Sequence, residues 1–333
     1  MNERGTTMTL TSAAGATRAS GNLRMTPGRW AAVALAVPVA LALIGWTGFT
    51  LVTTVARGSY PFSYPVTVSG GQVTLNVNGG NVTLRQIPGG VAELTGVVQY
   101  GLIRPGIYES ATASGADLGI NCDGIASDCG MAATLEVPPR TAVTLFSYGG
   151  DVAANSFSGH FTVSTGGGNI SVGHLAGTLQ ISTYGGDLTG SALTGTGQVF
   201  TGGGNVNVGD LAGDLLVNTG GGDLTGSAMS GDVQISTQGG NVTANSVASP
   251  HVTVLSGGGD VTLVFTQPPT DLQITTYGGN ITVDLPPGDT RYDITTSADG
   301  GSVNYPSSLA SSTSPDTITA DSGGGDITIA QAG

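Results

Sequence analysis

The sequence predicts an all-β protein, a parallel β-solenoid (β-helix or β-roll) of about 18-residue coils behind one N-terminal transmembrane helix. Three observations predict it. A glycine pair followed by Asp or Asn recurs at five successive spacings of 18 residues. The runs beside it alternate aliphatic and polar residues, as strands do. One uncharged stretch near the N-terminus is long enough to cross a bilayer.

The N-terminal region predicts a membrane anchor. Residues 30–56 contain no charge in 27 positions, which exceeds the about 20 apolar residues that a membrane helix needs. Residues 1–29, predicted to be a disordered cytoplasmic tail, carry four Arg against one Glu. The positive-inside rule therefore places this tail in the cytoplasm and the chain beyond residue 57 outside the cell. A cleaved signal peptide is the alternative.

The remaining chain divides into a linker and a repeat domain. Residues 57–69 are the predicted linker, and residues 70–333 are the predicted β-repeat domain. Within that domain the regular repeats occupy residues 141–329. Residues 88–140 interrupt the register and are predicted to be an irregular insertion or a cap over one end of the stack.

The residue after each glycine pair forms an alternating acidic and amide column. Coils stacked about 4.8 Å apart would place these residues directly above one another. Two carboxylates at that distance repel by about 1 kcal/mol in water, so the interleaved Asn gives the alternation a structural reason. Ser302 and Asp326 follow at longer spacings of 22 and 24 residues. The predicted structural ladder consists of Asp151, Asn169, Asp187, Asn205, Asp223, Asn241, Asp260 and Asn280.

Other columns share the same register. A Ser/Thr column stands four residues earlier and predicts a hydrogen-bonded ladder between coils. Aliphatic columns predict a narrow continuous core, and a second glycine column, half a unit away, predicts a second chain reversal. Because glycine pairs before Asp or Asn also favour hairpins, an antiparallel meander is the alternative fold.

Charge and cysteine content limit the partners and the compartment. Beyond residue 57, four Arg face 21 Asp and Glu, a formal charge of −17 that would repel a nucleic-acid backbone. The sequence therefore predicts no nucleic-acid partner. Cys122 and Cys129 are the two cysteines of the chain, and they stand in a Gly- and Asp-rich segment. A structural disulfide outside the cytoplasm is the natural interpretation.

Two phrases resemble a known family. LEVPPRTAVTLFSYGGDV and LQITTYGGNITVDLPPGDTRYDITTSADGGSVNY are similar to the bacterial DUF4097 family of β-strand repeats, which carries an adhesin label. The resemblance covers roughly residues 70–333. It implies a surface or envelope role, frequently in actinobacteria and often behind a membrane helix. It brings no established catalytic residues.

Candidate binding residues are few. Tyr148, Tyr184 and Tyr277 share the position three residues before the Asp/Asn column and predict a surface aromatic stripe, which could bind sugar faces. The sequence predicts no catalytic residue, no metal site and no cofactor. Calcium-binding nonapeptides, nucleophile motifs and phosphate-binding loops do not match its glycine-rich segments.

These features predict a glycine-rich, acidic and non-catalytic protein of the cell membrane. It would cross the membrane once through residues 30–56 and present its repeats outside the cell. The expected role is that of an adhesin, scaffold or envelope-associated binder, with a cell-wall glycan or an envelope protein as partner. The alternatives are a polysaccharide-acting β-helix enzyme and an envelope-stress signalling component.

Overall fold

A computed structural model describes residues 57–68, 70–112, 115–122 and 129–332, together with Val39 and Leu43. The predicted tail 1–29 lies outside the described residues, as does the predicted membrane segment 30–56 apart from Val39 and Leu43. No helix within the described residues is long and apolar enough to span a bilayer. Residues Ala56–Gly333 form a compact unit by themselves.

This unit is built from short strands. In chain order the strands are β1 Gly58–Val66, β2 Gln72–Val77, β3 Val82–Gln86, β4 Ala92–Tyr100, β5 Gly106–Ala111, β6 Gly115–Asn121, β7 Gly130–Val137, β8 Ala142–Ser147, β9 Val152–Thr165, β10 Ile170–Thr183, β11 Leu188–Thr201 and β12 Val206–Ala212. They continue as β13 Leu215–Thr219, β14 Leu224–Ser230, β15 Val233–Thr237, β16 Val242–Val247, β17 His251–Ser256, β18 Val261–Phe265, β19 Asp271–Thr276, β20 Ile281–Leu285, β21 Asp293–Ala298, β22 Val303–Asn304, β23 Thr317–Ser322 and β24 Ile327–Gln331. A 3₁₀ turn at Ser307–Leu309 lies between β22 and β23.

The repeats pair in parallel, one coil above the next. Val163 pairs with Ile181 and Ile181 with Val199, so each residue faces the residue 18 positions later. The strand before each glycine pair belongs to a first ladder and the strand after it to a second ladder. The antiparallel meander is therefore excluded for the repeats, because every ladder pair from β8 to β24 is parallel.

The second chain reversal is a kink inside a strand in part of the stack. β9, β10 and β11 run through it for 14 residues each, and so contribute to both ladders. At this kink one residue per coil is left-handed, with φ between 47° and 57°. The members of this left-handed column are Ser156, His174, Ala192, Asp210, Ala228 and Ser246. The following glycine column, which includes Gly177 and Gly195, also has positive φ.

The core lies between the two ladders and is one residue deep from each side. Alternate residues of every repeat strand point inward, as in β13, where Leu215, Val217 and Thr219 are buried. The inward aliphatic side chains of all coils form one continuous cluster. This arrangement explains how a chain with only 5% aromatic residues buries a core, because each coil shares its few aliphatics with two neighbours.

At the N-terminal end the stack does not follow chain order. β2 pairs with β8 on one side and with β6 on the other, and β3 lies between β7 and β9. The coil of β6 and β7 is thus stacked outside the coil of β2 and β3. Antiparallel strands complete this end: β5 on β6, and β4 then β1 on β7. The segment 88–140 therefore contains one further coil and two of the strands that cover it, β4 and β5. The third covering strand, β1, lies within residues 57–69, which the sequence predicted to be a linker.

The C-terminal end repeats this inversion. β23 pairs with β19 and β21, and β24 pairs with β20 and β22, so the last coil of the chain lies inside the coil that precedes it. The connection into β21 is held by Tyr292, which is buried, pairs with Ala310 and donates its backbone N–H to the Leu309 carbonyl at 2.8 Å. The long spacings to Ser302 and Asp326 consequently do not mark successive lengthened coils.

Candidate functional site

The candidate site lies at the corner that follows each strand of the first ladder. The corner residue continues the ladder, because its backbone N–H donates to a carbonyl of the preceding coil, as Tyr184 does to Thr165 at 3.3 Å and Gly202 to Thr183 at 2.9 Å. We call this set the corner column. In stack order it comprises Tyr148, Gly166, Tyr184, Gly202, Gly220, Gln238, Gly257, Tyr277 and Gly323.

The tyrosines of the corner column point into solvent. The exposed fractions are 82% for Tyr148, 80% for Tyr184 and 70% for Tyr277, so these rings contribute little to the core. Tyr148 and Tyr184 lie two coils apart, about 9.6 Å along the stack, with Gly166 between them. Tyr277 follows five coils after Tyr184. The structure therefore brings two of the three predicted stripe residues together and leaves the third apart.

A first cleft of about 470 Å³ lies between Tyr148 and Tyr184. Gly166 and Thr165 form part of its lining, and the ring of Phe146, 45% exposed, contributes to one side. Because Gly166 has no side chain, the space between the two tyrosine rings stays open. The rest of its lining consists of Asn76, Val77, Asn78, Ser147 and Ser164.

A second cleft of about 520 Å³ adjoins the other side of Tyr184. Gly202 and Gly220 lie in the corner column there, Gln238 lines the far end, and Phe200 is 39% exposed. Tyr184 lines both clefts, so the two clefts meet at this residue. The other residues that line the second cleft are Ser182, Thr183, Thr201, Asn218, Thr219 and Ser236.

Phe146 and Phe200 were absent from the predicted stripe. The signal for them was nevertheless present in the alternation of the strands. Phe146 stands between inward Leu145 and Ser147, and Phe200 between inward Val199 and Thr201, so each must face outward.

Both clefts are electrically neutral. Among the described residues that line them, none is Asp, Glu, Arg or His, and the polar groups are hydroxyls, amides and backbone. The surrounding chain carries about −17 beyond residue 57. The neutral lining thus distinguishes this surface from the acidic remainder of the domain.

The Asp/Asn column takes part in holding the coils together. The Oδ1 atom of each member accepts the backbone N–H of the member one coil further on, at 2.7–3.0 Å from Asp151 to Asp326. Asn81 begins the series and Ser302 ends it. In stack order Asp326 follows Asn280, so Asp and Asn alternate without interruption from Asn81 to Asp326.

The Ser/Thr column behaves differently from the prediction. In most coils its hydroxyl does not bridge to the next coil but accepts the N–H of the glycine three residues later, as Thr183 does from Gly186 at 3.1 Å. Hydroxyl bonds to the preceding coil occur near the C-terminal end, where Ser322 donates to the Gly279 carbonyl at 2.9 Å. The column therefore mainly closes its own turns, and its members are buried.

Cys122 and Cys129 form a disulfide. Their Cα atoms lie 6.1 Å apart, within the usual range for such bonds. The bridge joins the end of β6 to the start of β7 in the outer N-terminal coil.

Two side chains near the C-terminal end have shifted pKa values. Hydrogen bonds from the backbone and the hydroxyl of Ser302 lower the pKa of Asp326 from its ordinary value. Burial, followed by the charge of Asp316, raises the pKa of Tyr292 to about 12. Within the described part of the chain, no three His, Cys, Asp or Glu residues lie close enough to hold a metal ion.

The chain is similar to a known protein family. The model of a family described as Toastrack DUF4097 matches residues 134–332, which include β8 to β24 and most of the residues that line both clefts. A crystal structure of a candidate cell adhesion protein from Clostridium sporogenes is 13% identical. Its alignment covers 83% of this chain and 100% of that chain, with a TM-score of 0.21. No curated protein matches the chain.

Proposed function

The chain belongs to the Toastrack DUF4097 family, and from that premise we propose that it is a non-catalytic binding protein of the cell envelope. Residues 30–56 would anchor it in the membrane, and the solenoid would stand outside the cell as an adhesin or scaffold. The partner would be an envelope component, either a cell-wall glycan or an envelope protein.

One observation carries this proposal. Tyr148 and Tyr184 present large, exposed rings two coils apart on a solenoid whose Asp/Asn and Ser/Thr columns hold the coils and turns together. The Asp/Asn column accepts backbone N–H groups between coils, and the Ser/Thr column closes turns. Exposed aromatic side chains that lie near one another are typical of binding surfaces, because they bury a large area with little loss of conformational freedom.

The proposal can be tested with residues 56–333, which form a compact unit on their own. The purified fragment should co-sediment with isolated cell envelopes and should compete with the full-length protein for them. Separate incubation with protein-stripped cell wall and with extracted envelope proteins then identifies the fraction that retains it. Retention by neither fraction, or release of soluble sugar from the wall, would contradict a non-catalytic binding role.

A further inference from the structure

We propose that the two clefts beside Tyr184 form one groove that binds a neutral, linear glycan lying along the solenoid axis. This inference rests on the proposed binding function and names the class of its ligand. The groove is defined by the lining residues of the two clefts, from Asn76 to Gln238.

The groove is continuous and long. Its outward strand positions pair directly from coil to coil, in the order Asn76, Phe146, Ser164, Ser182, Phe200, Asn218 and Ser236. Seven coils at about 4.8 Å spacing extend over about 29 Å. A surface of this length along one straight axis suits an extended polymer better than a compact small molecule.

The lining suits sugar rings. A pyranose presents apolar C–H faces and hydroxyl edges. Tyr148 and Tyr184 offer aromatic faces that stand beside the glycine positions, and Phe146 and Phe200 offer further ring surface. Hydroxyl and amide groups along the groove, such as those of Ser182, Asn218 and Gln238, can donate to and accept from sugar hydroxyls.

Charge argues for a neutral glycan over an anionic one or a protein. The acidic domain would repel an anionic polysaccharide, and the groove supplies no Arg, Lys or His to hold one. A protein partner of so acidic a domain would be expected to gain affinity from basic groups facing carboxylates, yet no carboxylate lines the groove. A neutral ligand that relies on ring stacking and hydroxyl bonds fits both observations.

The central test uses the full-length protein in detergent micelles and isothermal titration calorimetry. The probes are neutral oligosaccharides of graded length from cellulose, chitin and amylose, with polygalacturonate as the anionic comparison. We expect at least one neutral series to bind, more tightly as the chain lengthens, and polygalacturonate to bind more weakly. Tyr184→Ala should weaken binding about tenfold or more, because it removes the ring shared by both clefts.

Matched variants separate binding from folding. Tyr184→Phe keeps the ring and should bind within about threefold of the unmodified protein. Tyr277→Ala changes the same corner position two coils beyond Gln238 and should bind unchanged. Because these tyrosines are 80% and 70% exposed, both alanine variants should melt at the temperature of the unmodified protein.

Failure of the inference is distinguishable from failure of the proposed function. If cell envelopes retain the protein but no neutral oligosaccharide binds, or if Tyr184→Ala binds as well as the unmodified protein, the glycan groove is wrong and the binding function stands. Retention through an extracted envelope protein alone likewise overturns the groove and keeps the binding function. If cell envelopes retain neither the Tyr184→Ala variant nor the unmodified protein, both the glycan groove and the proposed binding function are wrong.

Discussion

At the scale of single residues, the two glycines before each Asp or Asn have different requirements. A methyl group on Gly204 would overlap the carbonyl oxygen of Gly186 in the preceding coil, whereas one on Gly203 would meet nothing within 4 Å. The same contrast recurs in most coils, for example at Gly222 and Gly221. Of these two glycines, only the second is therefore imposed by the close approach of stacked backbones.

This contrast gives a paired prediction. Gly204→Ala should lower the free energy of unfolding by about 1–3 kcal/mol, because the backbone at Gly186 in the preceding coil must move to admit the methyl group. Gly203→Ala should change it by less than about 0.5 kcal/mol, as exposed substitutions usually do. Urea denaturation followed by circular dichroism measures both. Equal losses in the two variants would show that the stacking contact is not what requires glycine.

At the scale of the structural element, the kink in six successive coils is held by left-handed residues that are not glycine. The occupants vary from Ser and Ala to His and Asp, yet all keep φ near 50°. Left-handed backbone costs a residue with a Cβ roughly 1–2 kcal/mol. Because the conformation recurs in six successive coils, the pairing of the ladders on both sides must impose it.

The cost of the left-handed backbone can be removed by substitution in one coil. Ala192→Gly should stabilise the protein by up to about 1 kcal/mol, since the relief of left-handed strain exceeds the added freedom of glycine in the unfolded chain. Ala176, an exposed residue of β10 in ordinary strand conformation, provides the control. Ala176→Gly should destabilise by about 0.5–1 kcal/mol. Thermal melts of both variants decide the matter: destabilisation by Ala192→Gly would contradict the strain at the kink.

At the scale of the whole repeat unit, both ends of the stack are closed by inverted coils. The coil nearest the C-terminus, β23 with β24, is paired on both edges, and β21 with β22 forms the outer surface. At the other end β2 and β3 are likewise enclosed. Pro61 and Pro65 within the outermost strand β1 remove backbone donors there, which opposes edge-to-edge association. Inversion thus gives β2, β3, β23 and β24 hydrogen-bonded partners on both edges.

Hydrogen exchange should reveal this closure. Amides of β23, Thr317–Ser322, are expected to exchange more slowly than those of β21, Asp293–Ala298, although β23 lies nearer the C-terminus. The reason is that β23 has a strand partner on both edges, whereas β21 pairs with β23 on one edge. Exchange measured by mass spectrometry on the folded protein resolves the two peptides. Faster exchange in Thr317–Ser322 would mean that the terminal coil is not enclosed.

Much of this fold was predictable from the sequence, because stacking is a local rule repeated many times. The 18-residue spacing from Asp151 to Asn241 sets the register, and the alternation around residues such as Val163 and Ile181 sets which face is buried. The tyrosines of the corner column were visible for the same reason. Phe146 and Phe200 were readable in principle, since period-2 alternation places them outside.

The sequence by itself determined the coil, its columns and the outward direction of the tyrosines, because each of these follows from identical positions lying one strand spacing apart. Only the tertiary structure decided the order of the coils at the two ends. Chain order places Ser302 between Asn280 and Asp326, whereas the stack places Asp326 next to Asn280 and restores the alternation. Only the stack, too, shows that Tyr184 joins two neutral clefts while Tyr277 stands apart. The order of the coils, and therefore the neighbours of each residue, depends on which strand edges pair. Because the backbone edges of all strands are chemically alike, that choice depends on interactions along the whole stack.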